Sequence, residues 1–306
     1  MLTSTKKYIY KIIAILVIVI LVDKLSGTIL NKLYQSCKTG ICYQENYIMR
    51  KTNQDVLFFG SSRAAYHYNS KIIKDTLNMS VYNSGREGTG IYYHYGVLLS
   101  TIKRYTPKVI VLDLDYRDIY ECEGLFGLDI LKEQAPFYEK VSPEFDSLLV
   151  LSSGMKQKIK LQSNLYKYNS KFFRILTGNL VSKSDNNLGF RGIEGNYNEN
   201  IKPLEFKLKI DNNKIKTINK FIKKTKSKNI KLIIAISPYY IKMPKNLFYP
   251  LEQIANTNKI KIISHIQDSI FITNKNMFND TFHLNLKGAN IYSSIFASDL
   301  KNELIK

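Results

Sequence analysis

From residue 55 onward the chain alternates short apolar runs with amphipathic stretches, and a sequence written that way folds as a parallel sheet covered by helices on both faces. Residues 55–59 (DVLFF) read as a first buried strand that ends abruptly at Gly60-Ser61-Ser62. A helix is expected from about residue 63 into 72–77, then a second strand at 80–82. The glycine-rich turn Asn83-Ser84-Gly85-Arg86-Glu87-Gly88-Thr89-Gly90 follows, leading into a helix that runs to about Tyr105. Pro107 stops that helix, and residues 108–114 (KVIVLDL) are apolar enough for a central strand. The rhythm is lost between 116 and 205, where helical stretches at 143–151 and 155–176 and a polar loop at 182–200 predict an inserted subdomain or lid. It resumes with a basic helix at 204–228, a strand at 231–237, a helix near 248–257, a strand at 259–264 and a last helix over 286–304. Five parallel strands connected in this way predict a three-layer α/β/α domain over 54–306, with its site at the carboxyl ends of the strands.

Ahead of that domain, residues 12–22 form an unbroken apolar run preceded by Lys6, Lys7 and Lys11. The run alone fits the core of a signal peptide. Tyr8, Ile9 and Tyr10 extend it across Lys11, which can snorkel, toward the roughly 17–25 residues that span a bilayer. Asp23, Lys24 and Leu25 follow in place of a small-residue cleavage site, which favours a retained transmembrane anchor over residues 1–26. The lysines place the N-terminal tail in the cytoplasm and the rest of the chain outside. Residues 27–53 then read as a linker. Within it Cys37 and Cys42 flank a Lys-Thr-Gly turn, and an extracytoplasmic location would let them close a small disulfide loop.

The chain carries a formal charge of +20, a balance that by itself suggests nucleic acid, anionic lipid or an acidic glycan. Only seven of its 45 basic residues are arginine, the residue that reads phosphates and bases in bidentate fashion, and no nucleic-acid motif accompanies them. Nucleic acid is therefore not the expected partner. Three cysteines and four histidines without paired ligand spacing give no metal site.

Three segments fall where chemistry is expected. Ser62 follows the first strand and opens a helix, so its hydroxyl can be exposed while neighbouring N–H groups favour a developing oxyanion; helix capping by Ser61 or Ser62 is the competing role. Asp280 and His283 lie three apart in a polar loop before the last helix, a spacing that lets the carboxylate orient the imidazole, although such pairs also cap helices. His283 has the chemistry to accept a serine proton and return it. His67 and His94 fall inside predicted helices, and His265 ends a strand. In the turn after strand two, Gly85 and Gly88 let the backbone approach a substrate carbonyl, or form an ordinary turn.

These pieces, in this order, resemble the sequence blocks of the SGNH (GDSL-like) hydrolase superfamily: a serine motif on strand one, Asn-x-Gly-x-x-Gly after strand two, and Asp-x-x-His before the terminal helix. GSS in place of GDS is similar to the membrane-anchored branch that acylates envelope polysaccharides. The resemblance covers about residues 54–115 and 230–305 and implies a flavodoxin-like winding. It implies Ser62 as nucleophile, His283 as general base and acid, and Asp280 as its orienting carboxylate. The N–H groups of Ser62 and Gly88 would hold the oxyanion, with Gly85 shaping the turn. No cofactor is implied. The implied partners are an acylated glycan or acyl donor and a membrane protein that hands the acyl group across. The superfamily's third block supplies an Asn side chain to the oxyanion hole, whereas this chain reads Leu112-Asp113-Leu114-Asp115-Tyr116. An ionised Asp cannot donate that bond; Asn83 is a candidate spatial substitute, and Arg63 is a candidate for an anionic substrate group or a solvated residue of the helix's first turn. The expected activity is that of an esterase or O-acyltransferase in the bacterial cell membrane. The alternative is a non-catalytic binding or assembly protein for an acidic envelope polymer.

Overall fold

The structure, a computed structural model, describes residues 2–122, 127–180, 187–197, 208–272 and 274–305. In chain order the elements are α1 (Leu2–Gln35), α2 (Gly40–Arg50), β1 (Val56–Phe59), α3 (Ser62–His67), α4 (Ser70–Leu77), β2 (Val81–Asn83), α5 (Ile91–Arg104) and β3 (Val109–Asp113). After these come α6 (Pro143–Leu149), α7 (Gly154–Lys160), α8 (Asn164–Lys167), α9 (Phe172–Leu180), α10 (Asn212–Ser227), β4 (Lys231–Ile236), α11 (Tyr249–Asn258), β5 (Lys261–Ser264), α12 (Ser269–Ile272) and α13 (Leu286–Ile305). They divide into two compact units, one of residues 48–130 and 185–306 and one of residues 1–47 and 131–184.

The first unit holds a five-stranded parallel sheet in the order β2-β1-β3-β4-β5, the α/β winding expected. The order reverses at β1, which pairs with β2 on one side and β3 on the other, so the crevice beyond its carboxyl end is the natural ligand site. Central strands buried on both faces must be apolar throughout, and Val56, Leu57, Phe58 and Phe59 all are. On one face Val56, Phe58, Val111, Ile233 and Ala235 share a core with Tyr292, Phe296, Ala297 and Leu300 of α13. Phe59 faces the other way and meets Phe221 of α10, ring centroids 5.9 Å apart.

The single helix expected after β1 is two. Its break falls at Tyr68 and Asn69, where the Asn69 side chain accepts from the Lys71 N–H to start α4. The basic helix expected from residue 204 begins at Asn212 within the described residues, capped by Asp211, and 204–207 lie outside them. Part of the expected polar loop at 182–200 lies outside as well. Its described portion is an ordered strap on the sheet unit. There the N–H of Asn83 donates to the Leu188 carbonyl, that of Arg191 to Ala65, and that of Leu286 to Ile193.

In the second unit, residues expected to form a linker are helical instead. Helix α1 continues to Gln35, α2 follows, and Cys37 and Cys42 are joined by a disulfide. The span Thr5–Gln35 is long and apolar enough to cross a membrane. Its later turns hold the helices of residues 164–180. The Asp23 carboxylate receives hydrogen bonds from the Ser163 hydroxyl and from the N–H groups of Asn164 and Leu165. A Cβ on Gly27 would lie 2.2 Å from Asn164 Cβ, so only glycine permits this crossing. Farther along, Lys171 is 1% exposed and its ammonium meets Glu45 at 2.8 Å and Glu133 at 2.9 Å. Arg174 adds a second cation to Glu133, and the Tyr34 hydroxyl donates to Glu45.

Lys171→Met would leave Glu45 buried without its cation, a change that costs about 3–5 kcal/mol when one partner of a buried pair is removed. Denaturant unfolding of the full chain is expected to show that loss, and Lys171→Arg is expected to recover part of it.

Candidate active site

Ser62 is presented by one backbone manoeuvre. As β1 ends, Gly60 takes φ 152°, where a Cβ would sit 2.7 Å from both Ala64 Cβ and the Asp113 carbonyl oxygen. Only glycine fits there. Ser61 occupies the N-cap of α3 without a side-chain capping bond, and Ser62 is the first helical residue. Capping is thus not the work of either hydroxyl. Ser62 Oγ lies 2.7 Å from His283 Nε2, and His283 Nδ1 lies 2.8 Å from Asp280 Oδ2 and 3.0 Å from Oδ1. The three residues expected to act together are brought together in the order a proton relay requires.

Asp280 is fixed by its own loop, its Oδ1 accepting the N–H groups of Phe282 and His283. Burial pushes its carboxyl pKa upward, but the hydrogen bond and charge of His283 and these two backbone bonds outweigh it and hold the group below its ordinary value. It stays ionised beside the ring. With Asp280 bound to Nδ1–H, Nε2 is left to accept from Ser62.

Two of the expected substrate contacts are corrected. Arg63 is fully buried and turned away from the cleft. Its guanidinium stacks 3.5 Å over the Tyr239 ring, donates to the Ser237 carbonyl and hydroxyl, and lies 3.9 Å from both Asp113 and Asp115. A carboxylate pair under the sheet end needs a buried counter-charge, and Arg63 supplies it. Asn83 is likewise consumed. Its amide donates to the carbonyls of Ala64 and Tyr68, and its oxygen accepts the Gly85 N–H. It locks the turn after β2 to α3 and has no donor left for an oxyanion.

Gly85 does shape the turn, since a Cβ would lie 2.4 Å from the Ala65 nitrogen. The turn is hung from β1 by N–H bonds of Ser84 to Phe58 and of Arg86 to Gly60, and Gly88 takes φ 64°. The Ser62 N–H stands at the first turn of α3, where no intrahelical acceptor exists. The third-block carboxylates face inward: Asp113 accepts from the Tyr68 hydroxyl at 2.5 Å, and Asp115 accepts from Arg117 at 2.7 and 3.0 Å and from the Tyr239 hydroxyl. Neither carboxylate has a donor to offer an oxyanion, which leaves that task to main-chain N–H groups.

One residue set aside in the sequence matters here. His67, at the far end of the helix that Ser62 opens, accepts the Leu284 N–H at Nε2, 3.0 Å away, and its Nδ1 lies 3.0 Å from the Ser237 hydroxyl. It ties the helix bearing Ser62 to the residue after His283. Burial, then the charges of Arg63 and His283, hold its pKa well below 6.5, so the ring is neutral, with its proton assigned to Nδ1 by this bonding pattern. Tyr66 is a second such residue. It sits one turn beyond Ser62 and meets the His283 ring edge-on at 5.3 Å. Glu87 hydrogen-bonds Tyr66 and pairs with Arg191 at 2.9 Å. Nothing in residue type or spacing distinguishes these from ordinary helix and loop residues.

No protein-family model and no curated protein sequence matches the chain. Among solved structures it is similar to a Bacteroides fragilis protein assigned as an acylhydrolase, at 12% identity over 88% of this chain and 100% of the other, TM-score 0.46. It is also similar to an acetyl xylan esterase, at 13% identity over 81% and 98% of the two chains, TM-score 0.43. A lipase/acylhydrolase from Enterococcus faecalis is similar at 9% identity over 81% and 95%, TM-score 0.43.

Two outcomes follow from the geometry. Asp280→Asn is expected to slow reaction of Ser62 with an acylating probe on the order of 10⁴-fold, because the amide favours the wrong imidazole tautomer and lacks the charge that stabilises the protonated ring. The second concerns pH. The unfolded chain holds a proton on His67 below its ordinary pKa of 6.5 and the folded chain does not, so this group's contribution to stability is full above that pH and lost as pH falls beneath it. His67→Gln, which keeps an acceptor for Leu284, is expected to reduce the acid-side slope of the urea midpoint by about one proton.

Proposed function

We propose that this chain is a membrane-anchored serine esterase or O-acyltransferase of SGNH type that works through an acyl-enzyme on Ser62. The observation that carries the reading is the unbroken relay from Ser62 Oγ through His283 to Asp280, at 2.7 and 2.8 Å. A lone serine at a helix start has no need of a histidine oriented by a carboxylate. An acyl-transfer nucleophile does.

In the first half-reaction His283 Nε2 takes the Ser62 proton as Oγ attacks the ester carbonyl, while Asp280 stabilises the imidazolium. The oxyanion is held by the N–H groups of Ser62 and Gly88, and the departing alcohol takes its proton from His283. In the second half-reaction water or a sugar hydroxyl gives its proton to His283 and accepts the acyl group, restoring Ser62. The same three residues serve hydrolysis and transfer.

The acyl esters proposed as substrates are those of envelope or surface polysaccharide. Support for this class is the GSS form of the serine motif together with α1 read as a retained anchor, N-terminus in the cytoplasm. A membrane protein that hands an acyl donor across is the partner this arrangement calls for. A non-catalytic role in holding an acidic polymer draws on one observation, the inward-facing Asp113 and Asp115, which leave the third block without a side-chain oxyanion donor.

Treatment of the detergent-solubilised full chain with a fluorophosphonate probe separates the two. Labelling that disappears in Ser62→Ala and His283→Ala is expected. A folded wild type that stays unlabelled would favour the polymer-binding role.

A further inference from the structure

The apolar surface of α1 does not end where the uninterrupted run does. Leu25 and Ile29 remain exposed beyond Val22. Within the same compact unit Met155 and Ile159 stand four residues apart on one side of α7, with Leu151 in the turn before it, and all three are more than half exposed. Helical geometry places Lys156 and Lys158 on either side of that row and the buried Gln157 opposite it. A short helix with a bare apolar row flanked by lysines suits the boundary between lipid tails and headgroups.

Its depth along α1 can be reckoned. A hydrocarbon layer of ~30 Å takes about 20 helical residues. Counted from Tyr8, just behind Lys6 and Lys7, that layer ends near Gly27. This is the residue against which Asn164 packs, one turn beyond the Asp23 carboxylate that holds Ser163, Asn164 and Leu165. Only Leu161 and Gln162 separate α7 from this junction. The end of α7 is thereby pinned at the level where α1 leaves the apolar layer.

We propose that α7 is an interfacial helix, with Leu151, Met155 and Ile159 inserted into the outer boundary of the bilayer and Lys156, Lys158 and Lys160 against anionic headgroups. The inference rests on α1 being a retained anchor. Its function would be to fix how the outer region stands on the membrane, a restraint that one helix alone cannot give.

The chain contains no tryptophan, so a single introduced one reports its own surroundings. Full-length Ile15→Trp, Met155→Trp and Ile159→Trp would be reconstituted into phosphatidylcholine/phosphatidylglycerol vesicles with and without brominated acyl chains. The expected result is loss of emission on bromination for all three, with Met155→Trp and Ile159→Trp shielded from aqueous iodide. Adding Lys156→Glu, Lys158→Glu and Lys160→Glu to Met155→Trp should restore emission in anionic vesicles. Quenching of Ile15→Trp alone, with positions 155 and 159 open to iodide, would overturn the proposal and leave that face to water or to a protein partner. Failure of Ile15→Trp to be quenched would instead remove the anchor itself, and the proposal with it.

Discussion

Ser62 and His283 are separated by 221 positions in sequence and by 2.7 Å in space, and that short distance depends on how α3 and α4 pack on α13. Several bonds set that packing. The Ser293 hydroxyl on α13 donates to the His67 carbonyl and accepts the Asn69 N–H, Asn69 also bonds Asn290, and the hydroxyls of Tyr68 and Tyr292 meet at 3.1 Å. His67 completes the set from inside by holding the Leu284 N–H. A misplacement of about 1 Å between nucleophile and base is costly in rate, so a site assembled from both ends of a domain needs this many ties.

Beneath the site lies a polar layer that apolar packing alone would not require. Asp113, Arg63, Asp115 and Arg117 follow one another with alternating sign, and the hydroxyls of Tyr68 and Tyr239 each donate to one of the carboxylates. Burial pushes the Asp115 carboxyl upward, while the charge and hydrogen bonds of Arg117 and the charge of Arg63 prevail and keep it low. Removing any one charge strands its partner in a medium that solvates it poorly. The layer joins the ends of β1, β3 and β4, which are the strand ends that carry the cleft.

Much of this was legible in the sequence because the period of an apolar run and the punctuation of Gly60 and Pro107 are local signals. The five strands and the helices between them follow from such signals, whereas the grouping of Ser62 with Asp280 and His283 was implied by a resemblance in the order of the sequence blocks. The inward turn of Arg63 does not. A guanidinium one residue after a nucleophile has the same local sequence whether it faces solvent or a buried carboxylate pair, and Asp113 and Asp115 are contributed by another strand. Asn83 was misplaced for the same reason, since its partners Ala64 and Tyr68 belong to a different helix. His67 and the coupling of residues 131–184 to the N-terminal helix are long-range facts with no periodicity to announce them.

In the proposed reaction Ser62 carries an acyl group between the two half-reactions. The direct measurement is peptide mass mapping of the full-length protein, stopped with acid during turnover of an aryl acetate ester, in wild type and in Ser62→Ala. An acetyl group on the peptide containing Ser62, formed in wild type and missing from the variant, is the predicted result. Ester cleavage that proceeds with no acyl adduct on that peptide, or that continues undiminished in Ser62→Ala, would contradict it.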